Sequence, residues 1–252
     1  GASDQKGGMA AMVYAAKILT EVGIPEEFSV WMVGSIQEED CDGLCWQYIL
    51  REKVLAPEVV VLTEPTNCNL YRGHRGRMEM EIKTVGLSCH GSDPTRGDNA
   101  VTKMAPIVQA IDRLNRSLPP VEFLGKGTVA VTDFRAVTPS LCAVPDGAVI
   151  HLDRRLTTGE NEETAVAEIE NLPEVQAAGA KVRVLEYDVP SYKGTRYPTK
   201  KYYPTWTLAE DHRAVKAGIA AGNAAVDGRE LIVDKWVFST HGVATAGMFD
   251  VP

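Results

Sequence analysis

The chain has no apolar run approaching the ~18 residues that a membrane-spanning helix needs, which excludes a helical membrane protein. It also lacks a basic excess: 26 Lys and Arg stand against 34 Asp and Glu, for a formal net charge of −8. A general nucleic-acid binder needs a basic footprint to neutralise phosphates, so that class is disfavoured. Internal repeats and low-complexity stretches are missing as well, which removes solenoids and tails. Cys41, Cys45, Cys68, Cys89 and Cys142 are odd in number, and no second Cys or His pair follows Cys41 and Cys45 at zinc-site spacing. They read as free thiols in a reducing compartment, so a cytoplasmic protein without a structural zinc is expected. No secretory leader is recognisable and residue 1 is Gly rather than Met. The expectation is a chain cut at both ends.

What is present suits a globular protein. The 252 residues are 44% hydrophobic and 24% charged, and length alone predicts between one and two domains. Met9, Met12, Val13, Ala16 and Leu19 recur at helical spacing and predict a helix over 7–22. The run Phe28 to Val33 and the run Val59 to Leu62 predict strands buried on both faces, with a helix over 42–53 between them. From about residue 71 the texture changes. Arg77, Glu79, Glu81 and Lys83 alternate with Met78, Met80, Ile82 and Thr84, the mark of a strand with one wet face. A helix over 99–115, strands over 127–136 and 147–155, a helix over 162–171 and a strand over 181–189 complete a β-α-β-β-α-β order, the ferredoxin-like arrangement. A loop over 190–204, a helix over 208–226 and a strand over 231–233 return to the first domain. The expected fold is therefore α/β, with residues 1–70 and 197–252 interrupted by an α+β insertion at 71–196.

Acidic residues stand where an α/β sheet usually places function. Asp4 precedes the first helix, Glu38 and Glu39 follow the strand at 28–36, and Glu64 follows Leu62. Singly, each has a structural explanation as a helix cap, a solvated turn or a strand-end charge. Gathered together they would raise one another's pKa, and a divalent cation relieves that repulsion while generating a nucleophilic hydroxide.

Five motifs in one order carry a family resemblance. Gly-Ala-Ser-Asp4-Gln-Lys-Gly-Gly, Gln-Glu38-Glu39-Asp, Thr-Glu64-Pro, Gly86-Leu-Ser-Cys-His90-Gly-Ser-Asp through Asn99, and Asp153-Arg154-Arg155 are similar to those of the dinuclear-zinc amidohydrolases and exopeptidases. That family includes succinyl-diaminopimelate desuccinylase, acetylornithine deacetylase and aminoacylase, and the chain most resembles its selenium-metabolism-linked hydrolase subgroup. The resemblance implies a zinc-exopeptidase-like catalytic domain carrying a lid and dimerisation domain. It implies two Zn2+ per site, with Co2+ or Mn2+ as alternatives, bridged by Asp4 and held further by Glu39 and Glu64. Glu38 would be the general base, His90 a lid residue polarising the substrate carbonyl, Asn99 a support of the lid site and Arg155 a grip on a substrate carboxylate. The substrate would be an N-acyl amino acid or small peptide, and the assembly a homodimer through the lid.

The family's His-x-Asp motif upstream of Asp4 and its last metal histidine are both missing from this chain. His151-Leu-Asp153 is a His-x-Asp only in letters, because it lies in the lid strand; His241 reads as structural or supporting. Cys142 stands where many relatives have Asn. With the histidines gone, the 252 residues alone are expected to bind metal weakly and to be inactive. Two other classes compete: a non-catalytic scaffold or dimerisation protein that has shed the metal site, and a metal-free small-ligand-binding module.

Overall fold

The computed structural model describes residues 2–225 and 229–252. In chain order the helices and strands are α1 (Gly8–Val22), α2 (Leu44–Arg51), β1 (Leu70–His74), β2 (Gly76–Val85), α3 (Ala100–Ser117), β3 (Thr128–Val137), β4 (Gly147–Leu156), α4 (Glu162–Glu170), α5 (Pro173–Ala177), β5 (Lys181–Val184), β6 (Glu186–Tyr187), β7 (Thr199–Lys200), β8 (Tyr202–Tyr203), β9 (Trp206–Thr207), α6 (Arg213–Ala225), β10 (Val233–Trp236) and α7 (Gly242–Phe249). They form two compact units. One comprises the chain through Gly73 with 207–235 and 240–252; the other comprises 74–206 with 236–239.

The second unit holds the β-α-β-β-α-β order expected from the sequence. Its antiparallel sheet runs β3-β4-β2-β5, with the two-residue β8 also pairing β2. Register follows the hydrophobic alternation: Met80 lies opposite Leu152 and Ile82 opposite Ile150. Those side chains, with Met78 and Leu156, are fully buried against Met104, Ile107 and Ile111 of α3 and Ala165 and Ile169 of α4. Each such large side chain contributes about 1.5–3 kcal/mol of burial. A one-residue slip would turn the whole set to solvent, so this pattern fixes the pairing.

Helix ends in this unit are written locally. Asn99 accepts the amides of Val101 and Thr102 and starts α3. Asn161 and Thr164 exchange hydrogen bonds in a capping box at α4, whose first turn carries Glu162 and Glu163. Arg154 points to the helix side, where Glu160 (2.7 Å) and Glu168 (3.1 Å) receive its guanidinium. The helix α5 and the short strands within 199–207 were not expected from the sequence.

The first unit departs further from expectation. The helix at 7–22 is there, but none of the residues of α1 is buried. The strands expected at 28–36 and 59–62 are not formed: neither segment joins a ladder. A continuous apolar run specifies a strand only when neighbours supply both hydrogen-bonding edges. Here Trp31 is 70% exposed and Val61 84% exposed, while Val60 donates its amide to the carbonyl of Pro252 at 2.7 Å. The well-buried part of this unit lies instead between α2 and α7, where Leu44, Trp46, Val243 and Ala244 are enclosed. Gly43, at φ +69°, begins α2; a Cβ there would stand 2.8 Å from that of Ala244. Neither α7 nor β1 was anticipated, and the last strand falls at Val233–Trp236 rather than at 231–233.

Candidate active site

In the first unit the acidic residues singled out from the sequence come together. Asp4 lies in the irregular turn before α1, and Gly8 at the helix start approaches the backbone oxygen of Thr63 so closely that a Cβ would be 2.1 Å away. Gln5 completes the link between the two segments: it accepts from the Thr63 hydroxyl at 2.8 Å and donates to Oε1 of Glu64 at 3.1 Å. Asp4 and Glu64 are thereby held at one place. Glu38 and Glu39 arrive from the loop preceding α2, and Asp42 is buried in the same loop.

These groups feel one another's charge. Burial pushes the Glu38 carboxyl up to about 8, and the negative charges of Asp42, Glu64, Glu39 and Asp4 push in the same direction. The Glu64 carboxyl is raised as well, by burial first and then by Asp4 and Glu39, against the opposing hydrogen bond from Gln5. A carboxyl group whose proton leaves near neutral pH is matched to general acid–base work. Among the described residues no three His, Cys, Asp or Glu side chains are gathered tightly enough to hold one metal ion between them. The donors in electrostatic reach of Glu38 are all oxygen. They match a divalent cation in charge and hardness, whereas zinc also favours nitrogen or sulfur.

Two participants carry no signal of their own in the sequence: Gln5, which stands only inside the Asp4 motif, and Asp42. His241 reads from the sequence as structural or supporting, and its surroundings fit that reading. His241 is buried at the start of α7, which holds its imidazole down to about 4 and therefore neutral. Its Nε2 is 2.7 Å from the Ser35 hydroxyl, and the Cys45 thiol lies 3.8 Å from the same nitrogen. Sequence offers no signal for these approaches, which join residues some two hundred positions apart.

The remaining predicted site residues lie in the second unit. His90 is exposed in the loop after β2, and its Nδ1 accepts the Ser92 amide at 3.2 Å with the Ser92 hydroxyl at 2.7 Å. That arrangement places the ring proton on Nε2, the tautomer suited to donate to a carbonyl oxygen. His90, Ser92, Asn99, Leu141 and Cys142 line a cavity of about 490 Å3. Asn99 commits its Oδ1 to capping α3. Arg155 is held by its neighbour Asp153 through two bonds of 2.7 and 2.9 Å, so its fork already has a carboxylate partner. His151 faces Glu79 at 3.0 Å, where Lys201 also donates to the same oxygen at 2.7 Å.

Comparison with known proteins supplies the frame. Residues 72–180 match the family model described as the peptidase dimerisation domain, M20_dimer. The chain carries an M20 peptidase dimerisation domain. This M20 domain contains His90, Asn99 and Arg155, together with β2, α3, β3 and β4. Over all 252 residues the chain is 51% identical to the protein YgeY of Escherichia coli (strain K12), of which it spans 62%. Acetylornithine deacetylase of Salmonella typhimurium is 28% identical over 118 residues, 47% of this chain and 30% of that one. Among solved structures, aminopeptidase PepT from Bacillus cereus shares the fold at 18% identity, with a TM-score of 0.67 over the whole chain and 61% of its own length. A tripeptidase from Staphylococcus aureus does so at 19% identity and a TM-score of 0.63, over 99% of this chain and 61% of its own. The chain therefore spans about three fifths of the relatives it matches over its full length. No helix among the described residues is long and apolar enough to cross a membrane.

Proposed function

We propose that this chain is the carboxylate-bearing and lid-bearing part of a metal-dependent hydrolase that cleaves an amide bond in an N-acyl amino acid or small peptide. One observation carries the reading: Glu38 is half-buried among Asp4, Glu39, Asp42 and Glu64, with its carboxyl pushed up to about 8. The four neighbouring carboxylates raise the Glu38 carboxyl by like-charge repulsion, which a shared cation would relieve. Asp4, Glu39 and Glu64 are the residues that would hold it, drawing closer together than they stand here. A bound divalent cation would lower the pKa of water and polarise a carbonyl. Glu38 then takes the proton of the attacking water and returns it to the leaving nitrogen. His90, with its Nε2 proton, is the group that would donate to the substrate carbonyl oxygen as negative charge develops there.

The oxygen-only donor set fits Mn2+ or Co2+ at least as well as Zn2+. The 252 residues alone are therefore expected to bind Zn2+ weakly and to turn over substrate negligibly, and stoichiometric zinc at nanomolar affinity would contradict this. Assembly is proposed to be a homodimer through the second unit, where β3 is an edge strand of the sheet. Antiparallel self-pairing about Phe134, which is 41% exposed, would set Asp133 opposite Arg135 of the second copy. Registers centred on 133 or 135 would oppose like charges. Arg135→Glu should then shift sedimentation toward the monomer.

The deciding experiment measures hydrolysis of N-acetyl amino acids and dipeptides by a chain spanning the full length of its relatives, with and without added metal. Glu38→Gln should abolish turnover and leave metal binding intact. Absence of both metal binding and turnover would favour a scaffold that has lost its site, and ligand binding without metal would favour the metal-free binding module.

A further inference from the structure

The loop that delivers Glu38 is held in an unusual way. Gln37, immediately before Glu38, has φ +56°, a left-handed conformation that costs free energy for any residue with a Cβ. Such a conformation persists only where the surroundings over-determine it. Two ties flank it. On the N-terminal side the Ser35 hydroxyl meets Nε2 of His241 at 2.7 Å. On the C-terminal side the Cys41 thiol donates to the Gln37 carbonyl at 2.8 Å, and the Cys41 amide donates to the Glu38 carbonyl at 3.2 Å. Cys41 is fully buried and His241 is 7% exposed, so both anchors sit in the part of the unit enclosed between α2 and α7.

We propose that His241 is a positioning residue: through its hydrogen bond to Ser35 it pins the Ser35–Cys41 loop to the start of α7 and so fixes where Glu38 and Glu39 stand. The proposal rests on the reading of Glu38 and Glu39 as site residues, but the clamp itself does not require a metal. The neutral imidazole suits the task. It offers one donor and one acceptor nitrogen without placing a charge in a buried site. A histidine that merely filled space would have no reason to be coupled to Ser35, and its replacement would loosen α7 rather than the loop at Ser35–Cys41.

The test is amide hydrogen exchange at Cys41, whose N–H closes onto Glu38, in the wild-type chain and in Ser35→Ala, His241→Ala and His241→Gln. Both alanine variants should speed exchange at Cys41 by roughly tenfold, about the worth of one hydrogen bond. The double variant should be no faster than Ser35→Ala alone, which already removes the tie to His241 together with the hydrogen bond to Cys45. Gln reaches to the position of Nε2, so His241→Gln should stay within about threefold of wild type. Exchange at Gln47 in α2 and at Val251 after α7, whose amides close onto Gly43 and Thr245, reports whether the first unit stays folded in the variants, and should not change. Unaltered Cys41 exchange in His241→Ala, additive effects of the two alanines, or no rescue by Gln would overturn the proposal. A parallel titration with Co2+ alone separates the two readings. If the exchange pattern holds but no Co2+ binds even to a chain of full relative length, the clamp stands and the metal-site reading falls.

Discussion

The two units of this molecule use similar apolar content to opposite effect. In the second, Met78, Met80 and Ile82 alternate with charged residues, and each finds a partner across β4 and beneath α3. In the first, Phe28, Val30, Trp31, Val59 and Val61 stand in runs as hydrophobic as any in the chain, yet all are more than 40% exposed. The difference is not composition but closure. An alternating strand needs cover on one face and neighbours that β2, β4 and β5 supply to one another within about a hundred residues. A strand apolar on both faces needs ladders at both edges and helices on both sides. The stability of this chain should therefore reside in its second unit, and the carboxylates proposed for its chemistry in the first.

Core truncation should break the second unit most severely. Leu152 is fully buried at the centre of β4, opposite Met80. Leu152→Ala is expected to cost about 2–5 kcal/mol, the transfer term plus the cavity left behind. Urea unfolding followed by exchange at the amides of Met80 and Ile82 would measure it, and a loss under 1 kcal/mol would show that this core is slack.

A second large effect depends on pH. His74 is buried in the second unit, where its Nε2 accepts from the Trp206 indole at 2.7 Å and burial holds the imidazole down to about 4. An unfolded histidine titrates near 6.5. The unfolded chain then binds the proton first, so the stability this neutral ring contributes is complete above pH 6.5 and is lost as pH falls toward 4. By linkage the loss between pH 7 and pH 5 is about 2 kcal/mol. A urea midpoint for the second unit that stays level across that interval would contradict the buried neutral ring. His74→Gln should flatten the same profile.

These two sites also show what could be read in advance. The strand at 76–85, the helix at 100–117 and the β-α-β-β-α-β order were legible because period-two and period-3.6 patterns report one-sided burial directly. The strands at 28–36 and 59–62 were misread because a continuous apolar run reports only that burial is wanted, not that anything supplies it. At the candidate site, Asp4, Glu38, Glu39 and Glu64 were visible as carboxylates at the ends of apolar segments. Their company was not: Gln5 reaching Glu64, Asp42 turning inward, and His241 meeting Ser35 are contacts between distant segments that no local pattern encodes. Asn99 shows the converse. Its place before a helical stripe marks an N-cap from sequence alone, and the structure gives it that work. Asn99→Ala should cost about 1 kcal/mol and speed exchange at Val101 and Thr102. An effect on substrate affinity with no effect on those amides would move Asn99 from the helix to the site.

The smallest expected effect sharpens the contrast most. Ile18 lies in α1, 57% exposed, in a helix with no buried residue. Ile18→Ala removes as much hydrocarbon as Leu152→Ala, and it exchanges a β-branched residue for the best helix former. With little burial to forfeit, it should change stability by less than about 0.5 kcal/mol. Were it to cost 2 kcal/mol or more, α1 would have to be covered in solution by something outside the described contacts. The protein-concentration dependence of the unfolding midpoint would then distinguish a second copy, which makes the midpoint rise with concentration, from cover within one chain, which does not. A null result at Ile18 beside a large one at Leu152 would place the difference between the two units in closure of the core, since the two substitutions delete similar side chains.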